Sequence, residues 1–360
     1  MVLSKTSKFP GFETKSALIT GGAGFIGSHL AEALLDEGYT VAIIDNLSTG
    51  SIQNINHLTG PPRFHFAIDS ITNDVVMDRL VSECDMIFHL AAAVGVDLIV
   101  RDPVHVIETN VLGTHAVLKA ANRYRKKVLI ASTSEIYGKS NQVPFKEDDD
   151  RLLGPTTKAR WCYSTSKAVD EFLGLAYHHQ MSLPVVIFRL FNTIGPRQTG
   201  QYGMVVPRLT QQGLKGEPLT VYGDGQQTRC FCDVRDSVRA IVGLAKSHDA
   251  VGQVLNIGST EEISIYQLAC RVIRLLDDLD IETSRSGTET GGVVFVPYEE
   301  VYQADFEDMR RRVPDTSKIQ KLIGWMPERT LDETLADIIA SNRGDDALLA
   351  AVAGQSDGRF

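Results

Sequence analysis

Cysteine is scarce and unpatterned. The chain of 360 residues has five, Cys84, Cys162, Cys230, Cys232 and Cys270. They are odd in number, with one C-x-C and no second pair. That excludes a disulfide framework or a cysteine-built zinc site as the organising principle, and reduced thiols in a cytoplasmic protein are expected. The nine histidines show no ligand spacing, so no metal site is expected. Long apolar runs are also lacking. No segment reaches the ~18 residues of a membrane span, and the start, "MVLSKTSKFPGFETK", has no apolar signal-peptide core. An excess of positive charge is missing too. The net charge is −9, which argues against a nucleic-acid partner, although a local arginine cluster could still bind an anion. There is no internal repeat and no low-complexity tract.

What is present is alternation. "SALIT" (16–20), "TVAIID" (40–45), "FHFAI" (64–68), "DMIFHL" (85–90), "KKVLIAS" (126–132) and "PVVIFRL" (184–190) are short and apolar. They read as strands buried on both faces. Helical patterns separate them at 27–38, 102–124 and 163–180. The fold class is therefore α/β, a doubly wound parallel sheet with a smaller mixed C-terminal lobe. Turns crowd in after residue 190, and helices return at 236–248 and 264–279. The expected organisation is a flexible tail (1–14), a main domain (15–190) rejoined by parts of 230–260 such as "QVLNIG", a ligand-binding lobe (191–342), and a weakly ordered tail (343–360) in which "ALLAAVA" could be a short helix.

"ITGGAGFIGSHLAEALL" follows the first strand and opens the first helix. Gly21 permits the tight turn, Gly24 lets backbone approach a pyrophosphate, and Gly27 lets helix and strand pack closely. The helix N-terminus, with Phe25 and Ile26, then faces the phosphates. The second strand ends in Asp45, next to Asn46. A carboxylate there can accept both adenosine-ribose hydroxyls and would repel a 2′-phosphate, so the expected cofactor is NAD. Asp69, after the third strand, is a candidate for contact with the adenine. Tyr163 and Lys167 are spaced Y-x-x-x-K, which puts them on one helix face. A lysine ammonium and a cationic nicotinamide would both lower the phenol's pKa, making it a base near neutrality.

The motifs "TGGAGFIG", "HLAAAVGV", "STSEIYG", "YSTSK", "RLFNTIGPR" and "GDGQQTRCF" occur in an order that resembles the extended short-chain dehydrogenase/reductase superfamily. Its members are NAD-dependent nucleotide-sugar epimerases, dehydratases and decarboxylases. The resemblance covers roughly residues 15 to 340. It implies that Thr133, Tyr163 and Lys167 form the catalytic trio. Tyr163 would take a proton from a sugar hydroxyl, Thr133 would hydrogen-bond the same oxygen, and Lys167 would tune Tyr163 and hold the nicotinamide ribose. It also implies that His89, Leu90, Ala91, Ala92 and Asn110 line the cofactor or support the site. Asn192 and Arg229 would contact the diphosphate, Tyr222 of "GEPLTVYG" would stand near the nucleobase, and Ser134 and Arg312, the latter in "RRRVPD", would complete the substrate set. Arg310 and Arg311 read as solvated charges. A homodimer built on helices 102–124 and 163–180 is implied by the same analogy.

Glu135, two residues beyond Thr133, would point into the same pocket if the strand stayed extended. There it could act as an acid/base group at C5 of a 4-keto sugar; the other reading is a carboxylate turned into a local ion pair. "T-S-E" resembles both decarboxylases and dehydratases, whereas "GEPLTVYGDGQQTRCF", "PTTKARWCYSTSK" and "RRRVPD" are similar to UDP-glucuronate decarboxylases, which makes decarboxylation the leading expectation. "HLAAAVGV" looks instead like an epimerase loop, so a 4-epimerase acting on UDP-glucose or UDP-glucuronate is the alternative. A GDP-mannose-type 4,6-dehydratase comes third. An NAD-binding scaffold without turnover is the non-enzyme alternative.

Overall fold

The computed structural model describes residues 15–200, 203–278, 292–301, 307 and 309–356; the tail expected at 1–14 and the last four residues lie outside them. The alternating segments form strands β1 (Ser16–Thr20), β2 (Thr40–Asp45), β3 (Phe64–Ile68), β4 (Met86–His89), β5 (Lys127–Thr133) and β6 (Val185–Leu190). The helices between them are α1 (Phe25–Asp36), α2 (Asp74–Glu83), α3 (Val96–Arg101), α4 (Pro103–Tyr124) and α5 (Cys162–Met181). Neighbouring residues on a strand serve opposite faces of the sheet. Ala17 and Ile19 join one apolar cluster with Leu30 and Leu34 of α1. Leu18 joins the other, with Val117 and Leu118 of α4. Two buried faces are why these strands carry unbroken apolar runs.

Later segments return to this sheet. After β7 (Thr193–Ile194), α6 (Val205–Leu214), β8 (Leu219–Tyr222), β9 (Thr228–Cys230) and β10 (Cys232–Asp233), helix α7 (Val234–Lys246) covers one face beside α1. Strand β11 (Val254–Ile257) then adds to the edge. The sheet is seven-stranded and parallel, in the order β11-β6-β5-β4-β1-β2-β3. One expectation fails at its far edge. The edge strand β3 is not buried on both faces: Phe66 and Ile68, which share one face, are exposed.

The second apolar core is formed by α6, α8 (Ile265–Asp278) and α11 (Leu331–Ser356), through residues such as Leu209, Leu268 and Leu335. Short pairs surround it: β8 with β13 (Val293–Val296), and β9 with β12 (Glu262–Ser264). Helix α9 (Tyr298–Val301) follows β13. Helix α10 (Ser317–Ile323) packs back on the first core through Ile319, as does Trp325. The "ALLAAVA" stretch is no separate helix: α11 runs without a break through it to Ser356.

Candidate active site

The carboxyl ends of β1, β2, β4, β5 and β6 open into a cavity of about 860 Å³. It lies where the strand order reverses, between β1 and β4, the usual ligand crevice of such sheets. Its floor needs glycine. Gly21 has φ +70°, and a Cβ there would lie 2.9 Å from the Ala91 nitrogen. At Gly27 a Cβ would lie 2.2 Å from the Gly21 carbonyl oxygen. Gly24 is the N-cap of α1 and has no side chain to cover the helix's first N–H groups, so the positive end of α1 faces the cavity. Phe25 and Ile26 line it beside them.

Asp45 and Asn46, at the end of β2, line the same space. The Asp45 carboxylate accepts hydrogen bonds from the Ala23 nitrogen (3.0 Å) and the Leu47 nitrogen (2.8 Å). Burial pushes its pKa above the usual carboxylate range, against the pull of those N–H groups. Asp69 also lines the wall, but its carboxylate ties down the following turn through Ser70 N (2.7 Å) and Asn73 Nδ2 (3.1 Å). A cradle that rejects any Cβ, a bare helix N-terminus and a carboxylate at the end of β2 together fit a dinucleotide.

Leu90, Ala91 and Ala92 form the wall beyond β4. Asn110 does not: it stands behind that wall, buried, and is a correction to the expected cofactor contacts. Its Oδ1 accepts from the Ala93 nitrogen (2.8 Å) and its Nδ2 donates to Ser166 Oγ (3.1 Å), pinning the loop to α5. His89 is likewise behind the wall. Its Nδ1 meets Thr20 Oγ1 at 2.8 Å and its Nε2 meets Thr114 Oγ1 at 3.0 Å. Burial, then the Lys167 charge, lowers its pKa to about 3, so this imidazole is neutral.

Thr133, Glu135, Tyr163 and Lys167 all line the cavity. The Tyr163 hydroxyl is hydrogen-bonded to Thr133. Two expectations are corrected here. The first is the lysine's partner. Lys167 Nζ donates to Asp170 Oδ2 at 2.7 Å, and the chain's own groups raise the Tyr163 pKa, burial first and the Glu135 charge second. The second is the geometry of Glu135. The strand stops at Thr133, whose Oγ1 accepts from the Glu135 nitrogen (3.2 Å) and caps a 3₁₀ turn, Ser134–Tyr137. Gly138, at φ +65°, ends that turn. Glu135 therefore reaches the cavity from a turn. A threonine cap and a closing glycine are the sequence signals that mark it.

That turn delivers Glu135 to two arginines. Arg160 grips it with both terminal nitrogens, Nη2 at 3.0 Å from Oε1, and Arg312 Nη2 lies 3.5 Å from Oε1. Burial pushes the Glu135 pKa up, but Arg160 and then Arg312 outweigh it, and the carboxyl ends below its usual range. Arg160 was not singled out from the sequence; its place three residues before Tyr163, just outside α5, was the available signal. Ser134, Asn192, Tyr222, Arg229 and Arg312 line the cavity as expected. Arg312 Nη1 donates to Asn192 Oδ1 at 3.3 Å. Arg208, also missed, stacks its guanidinium 3.8 Å from the Tyr222 ring centre. Arg311 pairs instead with Glu262, at 2.7 Å.

The family model described as GDP-mannose 4,6 dehydratase matches residues 18–338. The chain is 42% identical to the UDP-N-acetyl-alpha-D-glucosaminuronate decarboxylase of Bacillus cytotoxicus, over 90% of this chain and 97% of that one. It is 38% identical to UDP-glucuronic acid decarboxylase 1 of Xenopus tropicalis, over 90% of this chain and 71% of that one. Among solved structures, the UDP-glucuronic acid 4-epimerase from Bacillus cereus, in complex with UDP-glucuronic acid and NAD, superposes with a TM-score of 0.79 at 29% identity, covering 91% of this chain and 99% of that one.

Proposed function

Because the chain belongs to the GDP-mannose 4,6-dehydratase family of NAD-dependent extended short-chain dehydrogenases/reductases, we propose that it decarboxylates a UDP-linked uronate through a 4-keto sugar. The observation that carries this reading is the Glu135 carboxylate, buried beside Tyr163 and bracketed by Arg160 and Arg312. Arg229 also acts on Glu135, so three guanidinium groups bear on this one carboxylate. The C6 carboxylate of a uronate is an anion that the guanidinium forks of Arg160 and Arg312 can engage, which supports an acidic sugar.

The Gly21–Gly27 turn and Asp45 would hold NAD, which would supply a reversible hydride acceptor there. Tyr163 takes the C4 hydroxyl proton as that carbon is oxidised and returns it at the end. Thr133 holds the same oxygen. With C4 a ketone, the C5–C6 bond breaks, its electron pair enters the enolate, and carbon dioxide leaves. C5 then needs a proton. An arriving sugar carboxylate competes with Glu135 for the two arginines, and this competition raises the Glu135 pKa. Glu135 then carries a proton, and C5 is where it is spent.

The small-residue loop Ala91–Gly95, on the cavity wall, favours a second reading: 4-epimerisation of the same uronate. Incubation with UDP-glucuronate, its 2-acetamido analogue, UDP-glucose and GDP-mannose, followed by NMR, separates the two. Carbon dioxide with a UDP-pentose product is expected. A galacto-configured product that keeps C6 would replace decarboxylation by epimerisation.

Two coarser features complete the proposal. Val104 and Ile107 on α4 and Val169 and Phe172 on α5 are exposed, which supports a homodimer on these helices. A cytoplasmic place is supported by five free cysteines, with Cys84, Cys230 and Cys232 pushed by burial up to about 12 and so unreactive. No described helix is long and apolar enough to cross a membrane.

A further inference from the structure

Lys167 and Asp170 form a buried ion pair on one face of α5. Nζ and Oδ2 are 2.7 Å apart, and the side chains are 3% and 0% exposed. Breaking a pair this deep by removing one partner leaves an uncompensated charge. Asp170 does not line the cavity among the described residues; Lys167 does. Asp170 Oδ1 makes no full hydrogen bond, and the Thr114 hydroxyl beside it acts as a weak donor that stabilises the anion.

The polar chain continues from Thr114, and its directions are consistent. If Thr114 turns its proton toward Asp170, its oxygen accepts from His89 Nε2–H (3.0 Å). His89 Nδ1 is then the acceptor for the Thr20 hydroxyl (2.8 Å). Thr20 Oγ1 in turn accepts from the Ala91 nitrogen (3.2 Å). One tautomer of a neutral His89 satisfies every link.

The geometry points to Asp170 as a positioning residue that fixes the place and charge of Lys167, tied through Thr114, His89 and Thr20 to the Ala91 wall of the cofactor space. This rests on reading Tyr163 and Lys167 as the proton-handling pair. Other charged or titratable groups also face the cluster: Glu171 on α5, Glu135 from the turn after β5, Arg160 from the segment before α5, and His89 from β4. Thr114 of α4 adds no charge. Asp170 raises the pKa of Tyr163, so removing its charge lowers it.

The test is Asp170→Asn in the full-length, NAD-loaded protein. The limb of the pH–rate profile set by Tyr163 is expected to move to lower pH by about one unit, the typical effect of one close charge. A uniform fall in rate with that limb in place would reduce Asp170 to a packing residue and overturn the proposal. A second readout needs no turnover: the phenolate absorbance difference against Tyr163→Phe in the same background. Its midpoint should fall in Asp170→Asn, and an unmoved midpoint overturns the proposal even if every sugar nucleotide proves inert. Should Asp170→Asn not fold, Thr114→Val is expected to move the same midpoint in the same direction by less, and no movement there counts equally against it.

Discussion

At the scale of single residues, the site is governed by which charges are paired. Glu135 is held ionised by Arg160 and Arg312, so its proton must be acquired during the reaction. Glu135→Gln is expected to slow formation of the C5-protonated pentose product roughly a hundredfold or more, while C4 oxidation stays visible as NADH absorbance. An unchanged overall rate would remove Glu135 from the C5 step. His89 gives a prediction about stability. Its pKa falls from 6.5 to about 3 on folding, so between those values the unfolded chain binds a proton that the folded chain does not. Its contribution to stability is therefore complete above pH 6.5 and is lost as pH falls through the window below it, by about 1.4 kcal/mol per pH unit. Urea midpoints at several pH values below neutrality should show this slope in the wild type and a flatter one in His89→Gln. Equal slopes would mean that another group dominates acid sensitivity.

At the scale of elements, the cofactor end is built where β1 meets α1. The Gly21 carbonyl lies where a Gly27 Cβ would have to go, at 2.2 Å. The obstruction is backbone, so no side chain can swing away to relieve it. Gly27→Ala is expected to displace α1 from the turn and to abolish copurification of NAD, with a lower melting temperature. Retained NAD at wild-type stoichiometry would show that the turn is not the phosphate cradle. The substrate end follows a different logic. The turn Ser134–Tyr137 is locked to α5 by Ser164 Oγ, which donates to the Glu135 carbonyl at 2.8 Å. The element carrying Glu135 and the helix carrying Tyr163 therefore move as one body.

At the scale of the molecule, α4 and α5 do two jobs. Their inner faces close the sheet, and their outer faces carry apolar side chains that no element among the described residues covers, Phe172 being 67% exposed. Phe172→Asp is expected to break the proposed homodimer into monomers in size-exclusion chromatography with light scattering; a mass that matches the wild type would count against an interface on this face. The sequence by itself determined the order of strands and helices, because strands buried on both faces must be apolar throughout. It also determined the glycine cradle and the shared face of Tyr163 and Lys167, because local backbone geometry fixes both. Only the tertiary structure decided the charge partners. Glu135 meets Arg160 across 25 residues of chain and Arg312 from the far lobe. Asn110 ends up behind the wall instead of in it, and Lys167 turns to Asp170. Sequence spacing predicts which side chains share a face of one element, but ion pairing in a buried site depends on distance and desolvation between elements, and those exist only once the chain has folded.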